Sequence, residues 1–229
     1  MGSTKIAGKC KQFVLSALLM GMASVSHAIT LSGATVNFTF DETNLGLFTG
    51  GYSVSGDTLS ITPAAFVNNG SLPYLLGETI NVTVTPKAGW TFSSLGFVES
   101  GLYTQTRTLP EDDVAVGGQL RIFDPINHTS ELTPSIPNPA FLPTASNQAW
   151  SATINQDLVA IASASSLNVT IQNILIAYPT AQISKNLVDL TIHTTPVPEV
   201  ETWAMMLAGL GLVGLQLRRR TGGSARVIR

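Results

Sequence analysis

The chain has 229 residues, a formal net charge of −2 and 44% hydrophobic residues. Its charges are segregated: residues 29–196 carry twelve acids against four bases, with three lysines before them and five arginines after. An acidic body repels phosphate, which excludes nucleic acid as a partner, and the single cysteine, Cys10, excludes a disulfide framework.

Residues Met1–Gln12 hold Lys5, Lys9 and Lys11 and no acid, and Phe13–Val25 is a run of apolar and small residues. Ser26-His27-Ala28 follows, with small side chains three positions and one position before the next bond. This three-part pattern predicts a secretory signal over 1–28, removed by signal peptidase between Ala28 and Ile29. The apolar run is too short for a membrane span, which needs ~20 residues. With the signal removed, no cysteine remains, so a body of roughly 165 residues is held by its core alone.

From residue 29 onward the dominant signal is period-two alternation, rich in Thr and Val, which predicts half-buried strands. It runs through Ala34–Phe40, Ile80–Thr85, Leu167–Ile176 and Leu187–His193. Shorter candidates are Thr58–Thr62, Thr91–Glu99, Leu102–Thr108, Gly118–Phe123 and Trp150–Ile154. Gly50-Gly51, Ser55-Gly56-Asp57, Asn68-Asn69-Gly70 and Gly117-Gly118 read as turns or bulges. Residues 124–147 hold Pro125, Pro134, Pro137, Pro139 and Pro143. Proline cannot donate to a ladder, so a long surface loop is expected there. Thr194–Pro198 reads as a short stiff linker. The whole predicts an all-β protein: one β-sandwich, jelly-roll-like, spanning 29–195.

Residues that could carry chemistry are sparse in this body. His128 and His193 are its only histidines, and neither sits in a nucleophile motif. Glu111-Asp112-Asp113 is the one acid cluster, and its spacing matches no EF-hand loop. No catalytic, cofactor or metal residue is assigned. Trp90, Trp150, Tyr52, Tyr74, Tyr103 and Tyr178 would stack on sugars if exposed, although aromatics on alternating strands more often fill cores. Thr104, Thr106 and Thr108 share one face of a strand and form a short hydroxyl row.

Beyond the body, Trp203–Leu217 is apolar and is followed at once by Arg218, Arg219 and Arg220. The pattern predicts a transmembrane helix over about 202–217, with Trp203 at one interface, the arginines inside and a cytoplasmic tail over 221–229. Gly209, Gly211 and Gly214 match a dinucleotide fingerprint in spacing only, because no strand precedes them.

Val197-Pro198-Glu199, then Trp203 with its small-residue helix, then Arg218-Arg219-Arg220, resemble the PEP-CTERM sorting signal of Gram-negative bacteria, the mark of an exosortase substrate family. The resemblance covers residues 196–220, with Val200 standing where the motif's second proline would be. It implies processing by an exosortase-like membrane enzyme near Pro198-Glu199. It also implies an inner-membrane anchored stage with a periplasmic body, followed by placement at the cell surface or in the extracellular matrix. The expected function is a non-enzymatic surface or matrix protein associated with exopolysaccharide and biofilm, partnered by the membrane, the two processing enzymes and exopolysaccharide. The alternative is a carbohydrate-binding module. More distant alternatives are an ice-binding protein, since some proteins described as ice-binding carry this tail, and a secreted hydrolase.

Overall fold

The computed structural model describes residues 27–106, 113–127, 131–197 and 200–221, the last stretch with side chains for 203–218. The signal segment up to residue 26, Glu111, Asp112, His128, Pro198, Glu199, the side chains of Arg219 and Arg220, and the tail from residue 222 lie outside the described residues.

Alternating sequence becomes strands with alternating burial. In chain order these are β1 (Ala28–Ser32), β2 (Val36–Asp41), β3 (Gly50–Ser55), β4 (Thr58–Pro63), β5 (Val67–Asn68), β6 (Leu75–Pro86) and β7 (Trp90–Thr106). They continue as β8 (Val114–Phe123), β9 (Glu131–Leu132), β10 (Thr144–Asp157), β11 (Leu167–Ala177) and β12 (Ala181–Pro196), followed by helix α1 (Val200–Thr221). Two antiparallel sheets result, ordered β1-β2-β6-β11-β8-β9 and β10-β7-β12-β4-β3, with β5 pairing on β12. The fold is an all-β two-sheet sandwich with one C-terminal helix.

The core lies between the sheets, because every second side chain of each strand points inward. Val36, Phe38 and Phe40 of β2 and Ile80, Val82 and Val84 of β6 bury against Phe92, Leu95 and Phe97 of β7 and Val188, Leu190 and Ile192 of β12, all in one cluster. Tyr103 and Trp150 join this core at 3% and 5% exposure, which removes both from any sugar-stacking surface.

Several expectations need correction. Thr91–Glu99 and Leu102–Thr106 are parts of one strand of 17 residues, β7, and the last two residues of the run expected at Leu102–Thr108 lie outside the described residues. Gly101 between them does not make a turn. It serves close packing, since a Cβ there would sit 1.8 Å from Ser184 O. Gly50-Gly51 and Gly117-Gly118 also lie within strands, β3 and β8. The linker expected at Thr194–Pro198 is strand up to Pro196, which pairs with Trp90. The proline-rich stretch is not wholly loop: Glu131–Leu132 adds an edge strand to β8, Ser135 bridges to Gln119, and Ile136 is buried.

The transmembrane span expected at 202–217 is also overturned. A helix forms there, but among the described residues no helix is long and apolar enough to cross a membrane. The described side chains, Trp203–Arg218, are all exposed. Ala204, Ala208, Gly209, Gly211 and Gly214 dilute the apolar surface, and Arg218–Arg220 lie within the helix rather than beyond its end.

Candidate ligand cleft

Strand parity that buries Tyr103, Ile183 and Lys185 turns Leu102, Thr104, Gln182 and Ser184 toward the outer face of the second sheet. β10 meets this face through a bulge, with its register against β7 shifting between Ala145 and Gln148. Asn147, inside the bulge, adopts φ 53°, a left-handed conformation that asparagine tolerates better than most residues. Its backbone N–H donates to Thr104 Oγ1 at 2.9 Å, which fixes the irregular segment to the regular strand. A bulge unpairs the ladder locally and re-aims its residues. Here it opens a recess of about 110 Å³ lined by Leu102, Tyr103, Thr104, Asn147, Gln182 and Ser184.

Gln182 Nε2 donates to Asn69 Oδ1 at 2.8 Å, and Asn69 lines a second recess of about 180 Å³ with Ser71, Leu72 and Pro73. Beside it, Tyr74 and Tyr178 lie 5.3 Å apart between ring centroids, and Tyr178 is 36% exposed. The two recesses and the tyrosine pair therefore share one end of the sandwich. Among the described residues, neither recess is lined by a carboxylate, lysine, arginine or histidine. Its amides and hydroxyls both donate and accept, the capacity that matches neutral polyhydroxylated ligands. The volumes fall below the ~300–1,000 Å³ of enclosing small-molecule pockets. The surface thus suits the side of a polymer better than an engulfed molecule.

Charged groups cluster elsewhere. Asp57, in the β3–β4 turn, accepts from Thr35 N–H at 2.7 Å, Thr35 Oγ1 at 2.6 Å and Val36 N–H at 3.3 Å. Burial pushes its carboxyl up, but these hydrogen bonds outweigh burial and hold it below the usual carboxylate range. Arg121 and Glu131 form an exposed pair across β8 and β9, with Nη2 to Oε2 at 2.9 Å. Deep in the core, Lys185 Nζ bonds Glu99 Oε2, with both side chains at 0% exposure. Burial pushes Glu99 up, and it lowers Lys185 to about 8.

The sequence-derived residues are scattered relative to this cleft. Ala28 and Ile29 pair with Asp41 and Phe40 at the start of the edge strand β1. Val197 is exposed, and its N–H donates to Gly89 O at 2.8 Å. Trp203 and Arg218 are exposed on α1. His193 is exposed near the end of β12. Trp90 and Tyr52 are half-buried, and Tyr52 OH is bonded to Glu42 Oε1 at 2.8 Å. Thr104 lines the recess and Thr106 follows it on β7, while Thr108 lies outside the described residues. No group of three or more metal-competent side chains occurs among the described residues.

Sequence reasoning missed Asn147, Gln182 and Ser184, since no periodic signal marks a bulge. It also missed Glu99, Lys185 and Asn173, although these were legible in principle. Each continues the inward parity of an apolar run: Glu99 after Leu95 and Phe97, Lys185 after Ile183, and Asn173 between Ile171 and Leu175.

No family model matches the sequence, and no curated protein matches it. Among solved structures the chain is similar, at low level, to a chain of Broad Bean Stain Virus determined by cryo-EM, with 14% identity, 66% of this chain and 94% of that chain covered, and a TM-score of 0.24. It is similar to Trichoderma harzianum endoglucanase 3 from family GH12, with 11% identity, 73% and 95% covered, and a TM-score of 0.23. A structure of carbohydrate-binding modules from the β-sandwich superfamily gives 10% identity, 73% and 97% covered, and a TM-score of 0.23. These are likenesses of a β-sandwich at low similarity, and they assign no ligand and no activity.

Proposed function

We propose that this protein is exported and works outside the cell as a non-enzymatic matrix component that holds neutral polysaccharide on the outer face of its second sheet. The observation that carries this reading is the recess built by the β10 bulge, whose polar lining of Thr104, Asn147, Gln182 and Ser184 is uncharged. Such a lining hydrogen-bonds sugar hydroxyls without the desolvation cost of a charge, and Tyr178 offers a ring face at the same end. A jelly-roll-like winding of the sandwich belongs to this reading. So do export through the segment ending at Ala28, tail processing at Pro198-Glu199 by an exosortase-like enzyme, and final placement at the surface or in the matrix.

Affinity electrophoresis in gels containing neutral glucans, xylan or the host's own exopolysaccharide tests the binding. Retardation by at least one polymer is expected. Gln182→Ala should weaken it about fivefold, the value of roughly one hydrogen bond, with an unchanged melting temperature. No retardation by any of these polymers, or equal retardation of the variant, would overturn the reading. Intact mass and N-terminal sequencing of protein recovered from the matrix should give a chain starting at Ile29 and ending near Pro198.

A further inference from the structure

The layers of the core can be counted from the β11–β12 turn. Ala177 and Ala181 flank it. Gln105, the ladder partner of Ala181, accepts from the N–H of Val114, the ladder partner of Ala177, at 3.0 Å. Asn68, the ladder partner of Ile183, donates to Leu175 O at 3.1 Å. Two hydrogen bonds between the sheets thus set Ala181 level with Ala177 and Ile183 level with Leu175. One inward step further, Lys185 is level with Asn173.

Asn173 is fully buried, and neither atom of its carboxamide has a hydrogen-bond partner. Glu99 Oε1 is equally buried and unpartnered. Glu78 and Gly118 flank Asn173 on the ladder. Glu78 is engaged with Leu47 N–H and Thr79 N–H, and Gly118 has no side chain. The Phe66 and Trp150 rings lie 5.2 and 5.8 Å from Lys185 Nζ and keep water from it. Orphaned buried amides and carboxylate oxygens are costly and rare. Three such atoms in one layer beside a lysine call for an explanation that fold stability does not supply. A lysine reaching about 6 Å and an asparagine reaching about 2.5 Å from their Cα atoms together cover most of the ~10 Å between packed sheets.

We propose that Lys185 and Asn173 join through an intramolecular isopeptide bond, with Glu99 as the acid–base group. Lys185 passes a proton to Glu99 through their existing contact. The neutral Nζ then attacks Asn173 Cγ, and Glu99 donates to Oδ1 as the tetrahedral centre forms. Glu99 relays the amine proton to the leaving nitrogen, the C–Nδ2 bond breaks as Oδ1 returns its proton to Glu99, and ammonia departs, leaving one new amide, a protonated Glu99 and no change in oxidation state. Burial favours the neutral amine and the neutral acid that this sequence starts from. The bond covalently ties the central strands of the two sheets, which a cysteine-free exported protein cannot do with disulfides.

Mass spectrometry of the purified full chain decides the matter. The expected mass is about 17 Da, one ammonia, below that calculated for its measured termini. Thermolysin, which cuts before aliphatic residues between 173 and 185, should leave the two flanking peptides joined, and trypsin should fail at Lys185. Glu99→Gln, close in shape, should restore the full mass in a protein with a native near-ultraviolet spectrum. Folded wild-type protein of full mass with separate peptides would overturn the proposal. Linkage undiminished in Glu99→Gln would overturn the role of Glu99.

Discussion

Replacing Asp57 with alanine removes the acceptor that ties the two sheets together at one end of the sandwich. Asp57 lies in the turn of the second sheet, while Thr35 and Val36 lie where β1 turns into β2 in the first. Three bonds are lost, of which those at 2.6 and 2.7 Å are strong and that at 3.3 Å is weak. A hydrogen bond to a charged group contributes ~1.5–3 kcal/mol, and partial solvent access argues for the low end, so the two strong bonds give about 2–4 kcal/mol. Asp57→Asn keeps an acceptor oxygen and loses only the charge, and should cost about 1 kcal/mol.

The sign with pH follows from the lowered carboxyl. The contribution is full above the ordinary value of 3.8 and is lost as pH falls through the lower folded value. Urea unfolding at pH 7 should therefore show the deficit of Asp57→Ala, with the slope against denaturant unchanged. Titration into acid below the folded value should bring wild type and Asp57→Asn together. A deficit below about 0.5 kcal/mol at pH 7 would mean that water replaces the carboxylate at little cost. A gap between wild type and Asp57→Asn that persists in acid would mean that charge is not its source.

Gly101→Ala places a Cβ 1.8 Å from Ser184 O and 2.8 Å from Trp150 Nε1. Because the first neighbour is backbone, β7 and β12 must part, and a loss of about 3 kcal/mol or more is expected in urea unfolding, at or beyond the upper end of ordinary overpacking. Thr180 carries φ 73° in the β11–β12 turn, a conformation costly for a β-branched residue. Thr180→Gly should raise stability by about 0.5–1 kcal/mol after the extra flexibility of unfolded glycine is subtracted, a rise of about 2 °C in thermal unfolding.

The class of fold was legible in the sequence because strand alternation is a local property. Val36–Phe40, Ile80–Val84 and Leu167–Ile176 each carry their inward face in their own spelling, and the acidic, cysteine-free body follows from composition alone. Strand ends were not legible at Gly101 or Thr194–Pro196. There, distant partners, Ser184 and Trp150 in one case and Trp90 in the other, decide whether the chain turns or continues. The tail's order of acid, tryptophan, small residues and arginines was read from the chain, but length and mean apolarity, not order, decide whether a helix spans a membrane. The cleft depends on a bulge in β10 and on Gln182 from a strand 35 residues later. The Glu99, Lys185 and Asn173 layer depends on three strands meeting at one depth. Local patterning sets which way each side chain points, while pairing and register between strands far apart in sequence set which side chains meet. Only the tertiary structure contains that second kind of information.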